Sequence, residues 1–143
     1  MQLEQEILSE INPLIQPQLD KCYDHRIDHS YGLIQINCQP SEDVKSKTLL
    51  LKLFIDHDNK QVQLPNIFLP EFMRKSGLGK RLISIVYSVA EKHGYELFIT
   101  EMTKGFFARM IARGAEPYED DIVKITAETN LMSVQAGTAS PGA

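Results

Sequence analysis

Apolar residues alternate with polar ones, or form short continuous runs, in several segments of this chain, and both patterns are typical of β-strands. The pattern predicts strands at residues 31–38, 47–55, 61–69, 95–100, 116–118 and 122–127. Short polar connections separate the first three strands, so we expect them to form an antiparallel meander. Only acidic residues separate the last two strands, which predicts a hairpin.

Apolar residues recur at steps of three and four in three further segments, which predicts amphipathic helices at residues 2–12, 78–93 and 103–113. The first helix is predicted to end at Asn12-Pro13, because the residue before a proline avoids the helical conformation. Residues 17–24 are interpreted as a second short helix or a turn. Helix 78–93 lies between two predicted strands, and this order favours parallel pairing of those strands.

Pro65 interrupts the pattern of strand 61–69. A proline has no N–H group to donate to a sheet, so it predicts either an edge strand or a β-bulge at this point. The sequence leaves both interpretations open.

Composition narrows the classes of function. The 143 residues carry a formal net charge of −4 without a basic block, which argues against broad nucleic-acid binding. Two cysteines favour a reducing compartment over a disulfide scaffold. With no apolar run of membrane-spanning length and no basic signal-peptide start, we expect a cytoplasmic location and no membrane partner. One domain is predicted at residues 1–131, followed by a disordered tail at 132–143.

Cysteine, histidine and aspartate cluster between Cys22 and His29, and zinc accepts such ligands. Their spacing matches no metal-ligand pattern, however. The preferred interpretation is a solvated polar loop that leads into the first predicted strand, with no metal.

The candidate chemistry lies where strand 61–69 gives way to helix 78–93. A basic turn joins them, Arg74-Lys75-Ser76-Gly77-Leu78-Gly79, and Lys80 and Arg81 follow it. Glycines let the backbone approach a ligand and point N–H groups at it, while a helix start adds unpaired N–H groups and partial positive charge. These features favour a small phosphate-bearing ligand. The alternative is a turn that only caps the helix.

Two common phosphate motifs are excluded here. No G-K-[ST] follows at the Walker A spacing, and the dinucleotide fingerprint G-x-G-x-x-G fails because residue 82 is leucine. The spacing R-x-x-G-x-G, with Arg74, Gly77 and Gly79 at its fixed positions, instead resembles the signature of the GNAT superfamily of acyl-CoA-dependent N-acetyltransferases.

The resemblance covers roughly residues 31–127 and implies an α/β fold of the α+β type. Its central sheet would be mixed and mostly antiparallel, with flanking helices, and its fourth strand would bulge and splay from the fifth. It also implies acetyl-CoA as the acyl donor. The cofactor-binding residues would then be Ile67, Phe68 and Leu69 along the pantetheine arm, and Arg74, Lys75, Ser76, Gly77, Leu78, Gly79 and Lys80 around the pyrophosphate.

The catalytic half of the family pattern is not matched. Where the family often has a tyrosine that protonates the departing CoA thiolate, four residues before a glycine-aromatic pair, this chain has Met110, and Gly114 is followed by Ala115. A frequent asparagine, seven residues before that tyrosine, is replaced by Thr103. The N-terminal region is short and is expected to lack the family's first strand.

An amine must lose a proton before it attacks a thioester, and a lysine amine has a pKa near about 10.4. Glu101, at the end of strand 95–100, is the best candidate base; its alternative role is that of an ordinary surface carboxylate. Tyr118 is the candidate replacement for the missing acid, and Glu71 is a more distant candidate beside the turn.

Three hypotheses follow. The chain is an enzyme that moves acetyl from acetyl-CoA to an amine of a small molecule or protein, a catalytically weak or inactive acyl-CoA-binding module that regulates a partner protein, or a small interaction protein whose turn binds no nucleotide. A homodimer is left open. The acceptor and the preferred acyl length cannot be read from the residues.

Overall fold

The computed structural model describes residues 2–67 and 77–131, with the backbone alone at residues 66 and 67. The elements in chain order are α1 (Gln2–Leu19), β1 (Asp24–Ser30), β2 (Leu33–Gln39), β3 (Thr48–Asp56), β4 (Gln61–Ile67), α2 (Leu78–Lys92), β5 (Glu96–Ile99), α3 (Lys104–Ala112), β6 (Glu116–Glu119) and β7 (Ile122–Ile125).

The strands form one seven-stranded sheet in the order β1-β2-β3-β4-β5-β7-β6. Every neighbouring pair is antiparallel except β4 and β5, which are parallel and are joined through α2. The predicted meander, the parallel pair and the final hairpin are therefore confirmed. The predicted fold class, α+β with a mixed and mostly antiparallel sheet flanked by helices, is confirmed with them.

One face of the sheet carries the hydrophobic core. Along β2, β3, β4, β5 and β7 the described residues on this face are apolar and fully or almost fully buried, and α1 and α2 add their apolar sides to the same cluster. The sheet residues that share this face include Ile34, Ile36, Leu51, Leu53, Ile55, Val62, Leu64, Leu97, Ile99, Val123 and Ile125. The alternation that predicted the strands is thus the alternation between this face and the opposite, more polar one.

Helix α1 continues past the predicted end at Asn12-Pro13, so that prediction is wrong. It includes both Pro13 and Pro17 and buries one residue in every four along its length, namely Leu3, Ile7, Ile11, Ile15 and Leu19. Burying each such side chain contributes about 1.5–3 kcal/mol. A proline inside a helix costs about 3 kcal/mol. Ile15 and Leu19 lie beyond Pro13, and their burial, at about 3–6 kcal/mol together, offsets most of the cost of the two prolines, so the helix continues.

The predicted polar loop at residues 22–29 is also wrong, because Asp24–Ser30 forms strand β1. This strand pairs with β2 along its whole length and supplies the first strand that the N-terminal region was expected to lack. Ile27 is its one aliphatic residue, so the strand is held by backbone bonds to β2, and no alternating pattern marked it in the sequence.

The predicted tail, residues 132–143, lies outside the described residues. Within the described part of the chain, none of the helices combines the length and the apolar character needed to cross a bilayer.

Candidate functional site

Strand β4 carries a bulge at Pro65. Two steps along β3, from Lys52 to Phe54, correspond to three steps along β4, from Asn66 to Gln63, so β4 contains one extra residue. Pro65 lies in this stretch and is buried. The bulge interpretation is confirmed, and the edge-strand interpretation is wrong because β4 lies between β3 and β5.

Strand β4 pairs with β5 only along its first four residues. Their register runs from Gln61 to Leu64 on β4. The last bond between them joins the Thr100 N–H to the Leu64 carbonyl at 2.9 Å. β4 then continues to Ile67 against β3, while the chain after Thr100 leaves the sheet. Within the described residues, the backbone of β4 beyond Leu64 therefore offers its β5-facing edge to a ligand.

Gly77 begins α2 in the left-handed conformation, with φ 72° and ψ 19°. Glycine adopts this conformation without the steric penalty of a side chain. Its carbonyl accepts the Arg81 N–H at 3.1 Å, which closes the first helical turn. Among the described residues no side chain caps the helix start, and the N–H groups of Leu78, Gly79 and Lys80 belong to the first turn, where a helix supplies no acceptor. This end of α2 favours an anion.

Positive charge converges on the same end of α2. Burial in the first place, and the neighbouring Arg113 guanidinium in the second, lower the pKa of Lys80 below its ordinary value. Arg113 follows the last residue of α3 and donates from its guanidinium to the Asn130 carbonyl at 3.1 Å. An anion bound between two neighbouring cations would offset the repulsion between their charges. Arg113 was not a sequence candidate, because its approach to α2 depends on how α3 packs.

Glu101 lies at the point where β5 leaves β4. Its side chain is exposed and its φ is 55°, a left-handed conformation that is uncommon for a residue other than glycine. Both neighbours are held: Thr100 donates to Leu64, and Met102 donates to the Asp121 carbonyl at 3.2 Å, in the β6–β7 turn. The surrounding bonds thus impose the strained conformation of Glu101. Such strain is concentrated at functional sites, although its presence alone assigns no role.

Tyr118 lies on the outer strand β6, with 58% of its surface exposed. Its ring packs edge-on against Phe98 of β5, with the ring centroids 4.9 Å apart. The structure thus places Tyr118 against Phe98, which lies three residues before Glu101 in the chain. Its role as the acid stays a prediction.

The positions that correspond to the family's acid half have structural roles here. Met110 is 1% exposed and belongs to the core, and Ala115 is also buried. Thr103 caps α3, accepting the Phe106 N–H on its hydroxyl at 3.2 Å. Helix α3 therefore places no hydroxyl acid at the Met110 position.

Several predicted site residues lie outside the described residues: Phe68, Leu69, Glu71, Arg74, Lys75 and Ser76. Ile67 is described by its backbone, which pairs with Leu51 of β3. Gly77, Leu78, Gly79 and Lys80 are described and lie together at the start of α2. In the described ranges, no three or more His, Cys, Asp or Glu side chains are grouped so that they could hold a metal ion.

Comparisons with known proteins give a limited result. No protein-family model matches the chain, and no curated protein matches it. Among solved structures it is similar to the "putative acetyltransferase from Agrobacterium tumefaciens", with 17% identity over 82% of this chain and 86% of that one and a TM-score of 0.36. It is also similar to the "putative N-acetyltransferase from Lactobacillus plantarum", with 11% identity over 84% and 86% and a TM-score of 0.38. Both TM-scores are below 0.5, so neither likeness establishes the activity of this chain.

Proposed function

We propose that this chain is an acyl-CoA-dependent N-acetyltransferase that moves acetyl directly from acetyl-CoA to an amine of a small molecule or protein. One observation carries the proposal. β4 bulges at Pro65 and loses its pairing with β5 after Leu64, and an exposed, conformationally strained carboxylate, Glu101, lies at that point. This arrangement offers open strand backbone for an extended ligand and a proton acceptor beside it.

The start of α2 supports the ligand class. A phosphate-bearing ligand is favoured there by the first N–H groups of the helix, by the left-handed Gly77, and by the two neighbouring positive charges of Lys80 and Arg113. β4 runs toward this helix start, so one ligand can contact both the open edge of β4 and the helix. A nucleotide with a long, amide-containing arm, such as acetyl-CoA, has this shape and this charge.

In the proposed reaction Glu101 takes a proton from the amine, directly or through a water. The amine nitrogen then bonds to the thioester carbonyl carbon, the carbon–sulfur bond breaks, and the departing thiolate takes a proton from water or from Tyr118. A positioned proton-transfer group contributes roughly 10²–10⁴-fold in rate, whereas alignment of the reactants contributes about 10⁵–10⁸ M of effective molarity. Loss of a dedicated acid at Met110 therefore weakens catalysis without abolishing it.

The second candidate is a catalytically weak or inactive acyl-CoA-binding module that regulates a partner protein. The burial of Met110 and Ala115 favours it, because the helix that carries the acid in the family contributes core packing here. The two candidates share the ligand and differ in turnover.

The first test is a calorimetric titration of the chain with acetyl-CoA, with ATP as a control anion. Micromolar binding that prefers acetyl-CoA is the expected result. Gly77→Asp should abolish it, because a side chain and a negative charge would meet the pyrophosphate. Gly94→Asp is the matched control: Gly94 also has a positive φ, of 79°, but follows the other end of α2. If the chain folds yet binds no acetyl-CoA, both candidates fail.

Thiol release from acetyl-CoA with a panel of amines separates the candidates. Glu101→Gln should lower the turnover rate about 10²-fold or more while acetyl-CoA affinity stays unchanged. An unchanged rate would remove Glu101 from the role of base. Tight binding without turnover for any amine would favour the regulatory module.

A further inference from the structure

The two outer strands of the sheet differ in how they meet solvent. β6 has four residues and contains Pro117, which has no N–H group to donate, so this edge is protected from pairing. β1 has seven residues, Asp24–Ser30, without proline, glycine or lysine. Within the described residues β1 pairs only with β2, so its outer backbone groups are available to another strand.

The sequence of β1 complements itself in the register that overlaps the whole strand. Two identical antiparallel strands related by a two-fold axis can exchange backbone bonds only when the axis passes through a residue position, because outward-facing groups alternate along a strand. If the axis passes at Ile27, Arg26 of each copy lies opposite Asp28 of the other. An axis at Arg26 would oppose arginine to arginine and Asp24 to Asp28, and an axis at Asp28 would oppose aspartate to aspartate. An axis at His25 would also oppose Arg26 to Asp24, but it would overlap only residues 24–26 of the strand. Opposite charges stabilise directly opposed pairs and like charges destabilise them, and of the two favourable registers the one centred on Ile27 pairs all seven residues, so the Ile27 register is selected.

The charged residues are already placed for this exchange. Arg26 Nε lies 2.9 Å from Asp28 Oδ1 in the same chain, and both side chains are exposed, at 69% and 44%. They lie on the sheet face opposite the core, since their partners in β2 are Asn37 and Gln35. Each can therefore change from its own neighbour to that of a second copy without leaving water.

On the core side of β1, Ile27 lies between His25 and His29, and an apolar groove adjoins Ile27 at the same seam. A groove of about 530 Å³ runs between α1 and β1, with Leu8, Ile11, Ile15, Ile27 and Ile36 in its walls. With the two-fold axis at Ile27, the grooves of two copies adjoin and the two Ile27 side chains lie side by side. Association would remove part of this apolar lining from water, which favours it.

We propose that β1 pairs with β1 of a second copy of this chain, antiparallel and centred on Ile27, to form one continuous sheet across a two-fold axis. The proposal does not depend on the acetyltransferase activity.

Sedimentation of the full chain over a concentration range of about 1 µM to 1 mM tests the proposal. The wild type should reach twice its chain mass of 16.2 kDa. Arg26→Asp opposes like charges twice across the seam, and so does Asp28→Arg, so each should weaken the dimer about tenfold or more. An equimolar mixture of the two variants should restore it, because each new charge then meets its opposite.

Lys45→Asp is the matched control, since it makes the same change in charge at an exposed site in the β2–β3 connection. It should dimerise like the wild type. Circular dichroism identifies any variant that fails to fold, and the restored dimer in the mixture requires both variants to be folded. A wild type that stays monomeric overturns the proposal, as do folded single variants that dimerise normally or a mixture that stays monomeric.

Discussion

Replacing His57 with phenylalanine should destabilise the chain strongly, because His57 connects a buried carboxylate to a phenol. His57 Nε2 lies 2.7 Å from Glu4 Oε2, and His57 Nδ1 lies 2.7 Å from the Tyr95 hydroxyl. Glu4 is fully buried and also accepts the Gly32 N–H at 2.6 Å. This cluster joins α1 to the β1–β2 and β3–β4 turns and to the residue before β5.

The size of the effect follows from these contacts. Phenylalanine keeps a ring between Tyr31 and Tyr95, which contact the imidazole by stacking and edge-on, but removes both hydrogen bonds. A bond to a charged group contributes about 1.5–3 kcal/mol and a neutral one about 0.5–1.5 kcal/mol. The expected loss is about 3 kcal/mol of unfolding free energy, or about 10 °C in melting temperature for a chain of this length.

The effect should depend on pH through Glu4. Burial by itself would raise the pKa of the Glu4 carboxyl, but the hydrogen bonds from His57 and from the Gly32 N–H outweigh it, so this pKa lies below its ordinary value. A lowered pKa in the folded state contributes stability that is present above the unfolded pKa, near about 4.3, and is lost as pH falls through the folded pKa. The difference between wild type and His57→Phe should therefore be largest near neutral pH and shrink in acid.

Urea unfolding followed by circular dichroism, repeated along a pH series, measures this difference. The chain contains a matched control: His93 Nε2 also lies 2.7 Å from a glutamate, Glu6, but both side chains are partly exposed, at 26% and 21%. His93→Phe should cost much less than His57→Phe. In a Glu4→Gln background the cost of His57→Phe should fall, which gives a coupling free energy of about 1.5–3 kcal/mol. Equal losses for the two histidines, or no coupling to Glu4, would refute this reasoning.

Three further predictions concern the backbone. Gly114→Ala should cost more unfolding free energy than Gly94→Ala. Both residues have a positive φ, 95° and 79°, and left-handed strain costs each variant about 1–2 kcal/mol, but only at Gly114 would a new Cβ also meet a backbone atom, the Glu128 carbonyl oxygen, at 2.8 Å. Equal losses in urea unfolding would contradict the contact. Glu101→Gly should raise the unfolding free energy by about 0.5–1 kcal/mol by relieving its left-handed strain, and should lower acetyl transfer; a clear destabilisation would show a structural role for the side chain. Thr103→Ala should cost about 1 kcal/mol by removing the cap of α3, whereas Thr103→Ser should retain the cap, so an equal loss for both variants in urea unfolding would exclude it.

Most of the sheet, the bulge in β4 and the glycine at the start of α2 were predictable from local pattern. Strands β2 to β5 each have one face in the core, so their apolar residues alternate or run together in the sequence. Pro65 predicted a break in strand pairing because proline lacks an N–H group. Gly77 is the residue that most easily adopts the left-handed conformation seen at the helix start, because glycine lacks a side chain. In these cases the physical cause lies within the segment itself.

The arrangement of the candidate catalytic residues was harder to predict from the sequence. Glu101 was predicted from its place at a strand end, but its left-handed conformation follows from the bonds of Thr100 to Leu64 in β4 and of Met102 to Asp121 in the β6–β7 turn. The Arg113 charge influences Lys80 across the fold, from a residue far along the chain, and no local pattern marks that proximity. Residues that act together from distant segments become visible only when the chain has folded.

By itself, the sequence of this protein determined that β2 to β7 are strands, which face of β2 to β5 lies in the core, and where the glycine turn begins a helix. Tertiary structure decided that α1 continues through two prolines, that the polar segment Asp24–Ser30 is a strand, and that His57 meets both Glu4 and Tyr95. The physical reason is common to all three. Local preferences of about 1–3 kcal/mol per residue are overruled when burial, backbone pairing or a buried hydrogen bond from another segment contributes as much or more.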